Sequence, residues 1–394
     1  MDKRFTVTVI GAGGRQAQAM LGAAARGADV SDWRAVDRSW RPEARHATEA
    51  LGVAVVEADP LADPATLREL VRTTRVVANL AGPYYRTGGA ILDAATTAGA
   101  DYLDICDDAD VTVRMLGRDA AAKSTNSTAI IGMGSTPGVS NILIRLAVDY
   151  LGPVSDVEIA WCVDVKDMTP AATRHFWHCF NPVDAEGNVH PVPLPAELES
   201  REVEFPGAVG RQRVVRLSHP EPLTVPRFLP VERAVNFGAI APAAAQEVAA
   251  ALAAVADEIS LPPGQPSRID TLAEAFQAFL GRFNHGPRIG SGLQIDVHSG
   301  GNGLRFASGA DTSMEEATGV PTAAGLLMLA EGNVPRGGVF APEALAPADF
   351  FQALRRVSLG GGGLGLYELV NGRQGDRLRI RDLLGASERQ GAKA

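Results

Sequence analysis

Val7-Thr8-Val9-Ile10-Gly11-Ala12-Gly13-Gly14-Arg15-Gln16-Ala17-Gln18-Ala19-Met20 decides the fold. The run from Phe5 to Ile10 is short, apolar and rich in β-branched residues, which is how a strand buried in a parallel sheet reads. Glycine follows at once, and then an alanine-rich helical run from about Gly14 to Arg26. Strand, glycine turn and helix together are the setting that the G-x-G-x-x-G fingerprint requires. Gly11 permits the tight turn. Gly13 lets the backbone approach a pyrophosphate, and the amides that open the helix at Gly14 and Arg15 face the phosphate charge. Gln16 stands where the third glycine belongs, with the small Ala17 beside it. The plain alternative is an ordinary strand–turn–helix without a ligand.

The second half of the fingerprint follows. Trp33 to Asp37 reads as the next strand and ends in an acid 24 residues after Gly13. An aspartate there bonds the adenosine ribose 2′-hydroxyl, whereas Arg38, next along, suits the 2′-phosphate of NADP. Asp37 repels that phosphate, so the balance tips slightly to NAD. The alternative for Asp37 is a turn residue at a strand end. A helix over Pro42–Leu51 and a strand over Val53–Glu57 come next. Asp59 lies either near the adenine or at the cap of a helix that starts at Pro64.

The alternation continues. Helix Pro64–Arg72 leads to strand Arg75–Leu80 and the glycine-rich loop Ala81–Gly89. Helix Ala90–Ala98, strand Asp101–Ile105, the acidic loop Cys106-Asp107-Asp108 and helix Asp110–Lys123 follow. Strand Thr128–Met133 exits through Gly134–Asn141 into a helix that runs to about Leu151. Residues 1–150 therefore read as an α/β domain with a doubly wound parallel sheet, whose ligand edge lies at the C-terminal ends of the strands.

From Pro153 the pattern changes. A strand over Val154–Val165 and a short helix over Thr173–Phe180 precede a proline-rich stretch, Asn181 to Pro195. Strands are expected at Arg201–Phe205, Arg211–Leu217 and Val231–Phe237, and helices at Ala241–Ile259 and Ile269–Phe283. Leu293–Ser299 and Leu304–Ser308 flank four residues, Gly300 to Gly303, a hairpin signal. Residues 151–311 thus read as an α+β substrate and dimerisation domain. A C-terminal part, 312–394, opens with helix Ser313–Ala330 and holds a further helix over Pro347–Arg356. Gly360 to Gly363 reads as a flexible loop, and the last ten or so residues as disordered.

Composition narrows the function classes. A chain of 394 residues supports two or three domains. A net charge of −9 argues against a nucleic-acid partner or an anionic membrane surface. No apolar run reaches the length of a membrane span, and Met1-Asp2-Lys3-Arg4 leads into the first strand without a signal-peptide core. Cys106, Cys162 and Cys179 show no metal-type spacing, and so low a count fits a reducing cytoplasm. No metal is expected.

Four stretches carry a family resemblance: Gly11-Ala12-Gly13-Gly14; Ala81-Gly82-Pro83-Tyr84 with Tyr102-Leu103-Asp104; Thr136 to Asn141; and Ala317-Thr318-Gly319-Val320-Pro321. Gly325 to Leu329 and Gly338 to Glu343 follow in the same order. On these motifs the chain resembles the saccharopine dehydrogenase-like oxidoreductases, particularly the saccharopine reductase and lysine 6-dehydrogenase branch. Val165 to Arg288 matches poorly. The resemblance implies a Rossmann domain, an inserted substrate domain and a C-terminal segment that returns to the Rossmann domain. It also implies hydride transfer, linked to NAD or NADP, at a C–N bond of an amino acid, amine or imine. The alternatives are a C=C reductase of the enoyl type on the same fold, and a non-catalytic dinucleotide-binding protein, which the altered Gln16 favours. A homodimer acting on a small molecule is expected.

Such chemistry needs the nicotinamide held against a substrate carbon, and a group to manage the nitrogen's proton. Asn79, Ala81, Gly82 and Pro83 are expected along the cofactor. Asp104 to Asp107 and Met133 to Pro137 are expected around its nicotinamide half. Tyr84 offers a hydrogen bond or a pocket wall, and otherwise plain packing. Asp107 offers a carboxylate for a substrate ammonium; otherwise Asp107 and Asp108 form a solvated helix cap. Cys106 reads as packing. In the second domain, Arg174-His175-Phe176-Trp177-His178-Cys179-Phe180 puts His175 and His178 on one helical face, where either can shuttle a proton beside Trp177. The alternative is an amphipathic aromatic helix with partly exposed histidines. A substrate carboxylate wants an arginine, and Arg174, Arg227 and Arg288 are candidates. Lys166 reads as solvated.

Overall fold

A computed structural model describes residues 4–190, 198–253, 268–283, 287–360 and 363–391. It divides into two compact units. One comprises Met1–Asp107, Val111–Arg145 and Glu315–Gly361; the other comprises Asp108–Asp110, Leu146–Met314 and Gly362–Ala394.

The first unit is built on alternating strands and helices: β1 (Phe5–Ile10), α1 (Arg15–Gly27), β2 (Arg34–Asp37), α2 (Pro42–Ala50), β3 (Ala54–Glu57), α3 (Pro64–Arg72), β4 (Thr74–Asn79), α4 (Tyr84–Thr97), β5 (Asp101–Asp104), α5 (Ala109–Leu116), α6 (Asp119–Ser124), β6 (Thr128–Ile130) and the start of α7 (Val139–Leu151). β1 lies beside both β2 and β4, every pair being parallel. The apolar strands expected from the sequence are buried, with Val7, Val9, Ala35, Val76, Leu103 and Ile130 in one core together with Met20 and Leu21 of α1.

Four departures from the expected elements stand out. The loop expected over Ala81–Gly89 is mostly helix, because α4 starts at Tyr84. Gly88 sits inside that helix, where a Cβ would lie 3.3 Å from Val111 and 3.4 Å from Met115. The glycine serves close packing by α5 and makes no turn. β6 stops at Ile130, and the expected helix over Asp110–Lys123 is split into α5 and α6. Finally, β13 (Gly338–Phe340), only three residues long, pairs parallel with β6 and completes a seven-stranded sheet. The sheet order is β13-β6-β5-β4-β1-β2-β3.

Two C-terminal helices join this unit: α12 (Met314–Glu331) and α13 (Pro347–Val357). α12 crosses α1 at Gly319, where a Cβ would come within 2.7 Å of the Gln16 carbonyl oxygen and the Met20 amide nitrogen. A close approach to α1 is thus supplied by a glycine of α12.

The second unit holds a mixed eight-stranded sheet, ordered β15-β14-β12-β11-β7-β10-β9-β8. Its strands are β7 (Val154–Asp164), β8 (Ser200–Phe205), β9 (Gly210–Arg216), β10 (Val231–Ala241), β11 (Ser291–Ser299), β12 (Asn302–Ala310), β14 (Gly365–Val370) and β15 (Arg373–Leu378). β7 and β10 are parallel and the other neighbours antiparallel. The hairpin predicted at Gly300 to Gly303 is tighter than expected. Ser299 pairs with Asn302, leaving a two-residue turn in which Gly300 takes φ +62°. One face of the sheet carries α8 (Pro170–His178), α10 (Ala243–Ala253) and α11 (Arg268–Leu280), packed around Trp161, Phe176, Trp177 and Phe276. α9 (Glu221–Phe228), which contains Pro226, was not foreseen.

The C-terminal part divides. Glu315–Gly361 groups with the first unit, whereas β14 and β15 extend the second unit's sheet. α14 (Ile380–Gly391) occupies most of the tail that was expected to be disordered. Parts of the proline-rich stretch and of the helix expected to reach Ile259, the middle of the four-glycine loop, and the last three residues lie outside the described residues. Among the described residues no helix is long and apolar enough to cross a membrane.

Candidate dinucleotide site and its surroundings

The turn between β1 and α1 is shaped by two glycines. Gly11 has φ +80°, and a Cβ there would lie 2.5 Å from the Ala81 nitrogen, so the turn is pressed against the exit of β4. Gly13 donates its amide to Asp37 Oδ2 at 2.8 Å, and a Cβ on it would stand 3.0 Å from that oxygen. Gly14 is the N-cap of α1, with no side-chain cap bond among the described residues and no acid in the first turn. α3 makes a useful contrast: Asp63 caps it by accepting from the Ala65 and Thr66 amides. The first amides of α1 lack helical acceptors and carry the positive end of the helix dipole, which suits them to a phosphate. This is a backbone cradle that fits a dinucleotide.

The flanking side chains brace the turn. Gln18 Nε2 donates to the Ala12 carbonyl at 2.7 Å and to Thr48 Oγ1 at 2.9 Å, a role the sequence did not signal. Arg41 donates to the Gly13 carbonyl at 3.1 Å. Arg15 is exposed and pairs with Glu315 at 3.1 Å; Gln16 is half-buried. Asp37, half-buried at the end of β2, also accepts from the Ser39 amide at 3.2 Å, while Arg38 is exposed. Asp59 does not cap α3. It closes its own turn by accepting from the Leu61 and Ala62 amides.

A buried polar network lines the C-terminal edge of the sheet. Asn79 Nδ2 donates to Tyr102 Oη at 3.0 Å, and Tyr102 donates to Asp104 Oδ2 at 2.8 Å. Asp104 Oδ1 accepts from the Cys106 and Gly132 amides at 3.0 and 2.8 Å. Burial pushes the Asp104 carboxyl up to about 6, against the lowering effect of those amide bonds. Asn79 also accepts from the Ala81 amide, fixing the start of the loop through Gly82 and Pro83. Tyr84 is buried and donates to the Asn79 carbonyl at 3.0 Å; burial, then the Asp104 charge, holds its hydroxyl well above its usual range. Tyr84 therefore braces the β4 exit from within. Asp107 is half-buried, unlike Asp104. The Gly134–Gly138 turn is tied down by Asn141, which accepts from the Gly138 amide and donates to Glu343.

In the second unit the aromatic helix is real, but both of its histidines are already engaged. Thr169 caps α8 through the Ala172 amide. His175 Nδ1 lies 2.8 Å from Asp108 and His178 Nε2 2.8 Å from Asp110. Asp108 is fully buried, so the solvated cap considered for Asp107 and Asp108 does not describe it. Burial pushes His178 down, but the Asp110 hydrogen bond and the Asp108 and Asp110 charges outweigh it, and the imidazole is raised overall. Trp177 is 1% exposed and packs on Phe276 with ring centres 5.6 Å apart, so it is a core residue and no pocket wall. Arg288 is held by Asp167, which reserves its guanidinium for a structural pair. Arg227 is exposed over Phe228, Arg174 is half-buried, and Lys166 is half-buried within a 3-10 turn, where solvation was expected. Trp161, Asn236, Glu221 and His219 form a second buried chain of hydrogen bonds that no sequence pattern announced.

Residues 7–130 match the family model described as the saccharopine dehydrogenase NADP binding domain. The resemblance read from the sequence is supported over that stretch. Two solved structures share the fold along nearly the whole chain. One is the apo histidine-tagged saccharopine dehydrogenase (L-Glu forming) from Saccharomyces cerevisiae, 14% identical with a TM-score of 0.58, covering 94% of this chain and 100% of that one. The other is the homospermidine synthase from Legionella pneumophila in complex with NAD, 11% identical with a TM-score of 0.59, covering 94% and 92%. At these identities the likeness is one of fold. A search of curated protein sequences found no match.

Proposed function

We propose that the chain is an NAD(P)-dependent oxidoreductase that transfers hydride at a C–N bond of an amino acid, amine or imine. The observation that carries the first part is the glycine turn: α1 begins without a side-chain cap, directly after two glycines, with Asp37 alongside. The bound nicotinamide supplies the hydride chemistry. The chain's own part is to bind and orient. Gly11 to Arg15 hold the pyrophosphate, and Asp37 faces the ribose, which favours NAD over NADP. The loop of Ala81, Gly82 and Pro83, positioned by Asn79 and Tyr84, lies along the cofactor. Asp107, half-buried in the loop that follows β5, receives the substrate nitrogen. The net charge of −9 and three free cysteines support a cytoplasmic protein with a small-molecule substrate, and we infer a homodimer.

Titration with NADH and NADPH, read by nucleotide fluorescence, tests the cofactor. Turnover on a panel of amino acids, amines and imines tests the reaction, with enoyl compounds as the counter-panel. Oxidation or reduction at C–N supports the proposal. Reduction of the enoyl panel alone, or tight dinucleotide binding with no turnover on either panel, overturns the C–N assignment.

A further inference from the structure

His175 lies between two groups that together make an imidazole a base for a thiol. Its Nδ1 is 2.8 Å from Asp108 Oδ1 and its Nε2 is 3.2 Å from Cys179 Sγ. His175 and Cys179 are four residues apart at the C-terminal end of α8, so the helix presents both on one face. A carboxylate at Nδ1 fixes the proton there and directs the Nε2 lone pair at sulfur. Carboxylate, imidazole and nucleophile in that order is the arrangement that activates a side-chain nucleophile. The end of α8 also favours a cation, which helps His175 accept the thiol proton. The other cysteines sit differently. Burial pushes the Cys162 thiol up to about 12, and Cys106 Sγ lies 4.0 Å from a hydroxyl, Thr112 Oγ1.

We propose that Cys179, His175 and Asp108 form a thiol-oxidation site that takes a small hydroperoxide. Cys179 is 2% exposed, and the His175 side chain is 20% exposed. That burial restricts the site to a reagent of a few atoms. The proton passes from Sγ to His175 Nε2, and the sulfur attacks one peroxide oxygen. The S–O bond forms as the O–O bond breaks, and the departing oxygen takes the proton from Nε2 and leaves as water from hydrogen peroxide, or as an alcohol from an alkyl hydroperoxide. Sulfur is oxidised by two electrons to the sulfenic acid and the peroxide is reduced.

The test exposes the folded full-length protein to hydrogen peroxide, quenches it, unfolds it in dimedone and maps the adduct on each cysteine over time. Cys179 is expected to react ~10-fold or more faster than Cys106 and Cys162. His175→Gln and Asp108→Asn are each expected to bring its rate down to theirs. If Cys179 in the wild-type protein reacts no faster than the other two, the proposal fails without any variant. An undiminished rate in a folded His175→Gln protein also defeats it. A variant that unfolds is recognised by lost near-ultraviolet circular dichroism and a common rise of all three rates. The wild-type ratio and the remaining variant then decide.

Discussion

The N-terminus of α1 and the C-terminal turn of α8 are both polar ends of helices beside a sheet, yet they are satisfied in opposite ways. At α1 the sequence withholds side chains: Gly11, Gly13 and Gly14 leave backbone amides as the available chemistry, and no acid occupies the first turn. At α8 the sequence crowds side chains in, and each finds a partner in the same unit: His175 with Asp108 and Cys179, His178 with Asp110, Trp177 with Phe276. An unfilled polar end is suited to receive a dinucleotide's phosphate, whereas at a filled one the side chains position one another. An aromatic, histidine-rich helix draws the eye in sequence, while the dinucleotide cradle is marked by residues with little or no side chain.

The largest effect that tests this contrast is on stability. Trp177→Ala empties a fully buried indole from the core around Phe176 and Phe276 and is expected to cost about 3–5 kcal/mol. Urea denaturation measures it. A variant of native stability with a raised KM would instead make Trp177 a substrate wall and erase the distinction between the two ends. Next comes Gly13→Val, whose side chain would enter the space beside Asp37 and the phosphate cradle. Losing one charge-assisted amide bond to phosphate, about 1.5–3 kcal/mol, weakens NADH binding by roughly 10- to 100-fold. Fluorescence titration reads it, and unchanged affinity in the folded variant would move the site elsewhere. Gln18→Ala is expected to loosen the same turn, since Gln18 ties the Ala12 carbonyl to Thr48.

Asp37→Ser acts on the choice of cofactor. Removing the carboxylate lifts its repulsion of a 2′-phosphate, and the ratio of NADPH to NADH affinity is expected to rise about 10-fold, one tenfold step for roughly 1.4 kcal/mol. A wild-type protein that already prefers NADPH strongly would show that the exposed Arg38 governs the pocket. The same variant removes an acceptor from the Gly13 and Ser39 amides, so a small loss of stability accompanies it.

How much of this was readable follows from the range of each interaction. Strands β1 to β5 and the glycine turn were legible because burial, β-branching and turn glycines act within a few residues. β13 was not, because three residues carry no period. The start of α4 was misread because Gly88 and Gly89 signal a loop locally, and the reason for glycine there is a helix that packs on it from beyond residue 108. The site shows the same division. Gly11, Gly13 and Asp37 are placed by local geometry and were named. Asp104 and Asn79 were named from position, but their joint network runs through Tyr102 and Gly132, across three strand ends. The partners of His175 and His178 lie 67 and 68 residues away in sequence, so spacing could not reveal them.

The smallest effect probes whether the filled end at α8 is held by charge. His178 has a folded value raised above its ordinary 6.5, the Asp110 hydrogen bond and the Asp108 and Asp110 charges outweighing burial and the neighbouring His175. A raised imidazole binds its proton more tightly in the native state than in the unfolded chain. The stabilisation is therefore complete below 6.5 and is lost as pH rises through the folded value. Asp104 also makes stability fall with rising pH, but in a different window. It is a buried acid, so the unfolded chain ionises first, near 3.8, and the native state only near 6. Above 6.5 the two separate, and the difference between the wild type and His178→Gln isolates the pair. Glutamine keeps a donor toward Asp110 and removes the charge. The wild type is expected to exceed the variant by about 1 kcal/mol at pH 5.5, the net worth of a single buried hydrogen bond, and by less at pH 9. Urea midpoints at the two pH values measure it. A difference that stays constant, or grows toward pH 9, would mean that His178 is neutral in the native state and that packing, not charge, holds the end of α8.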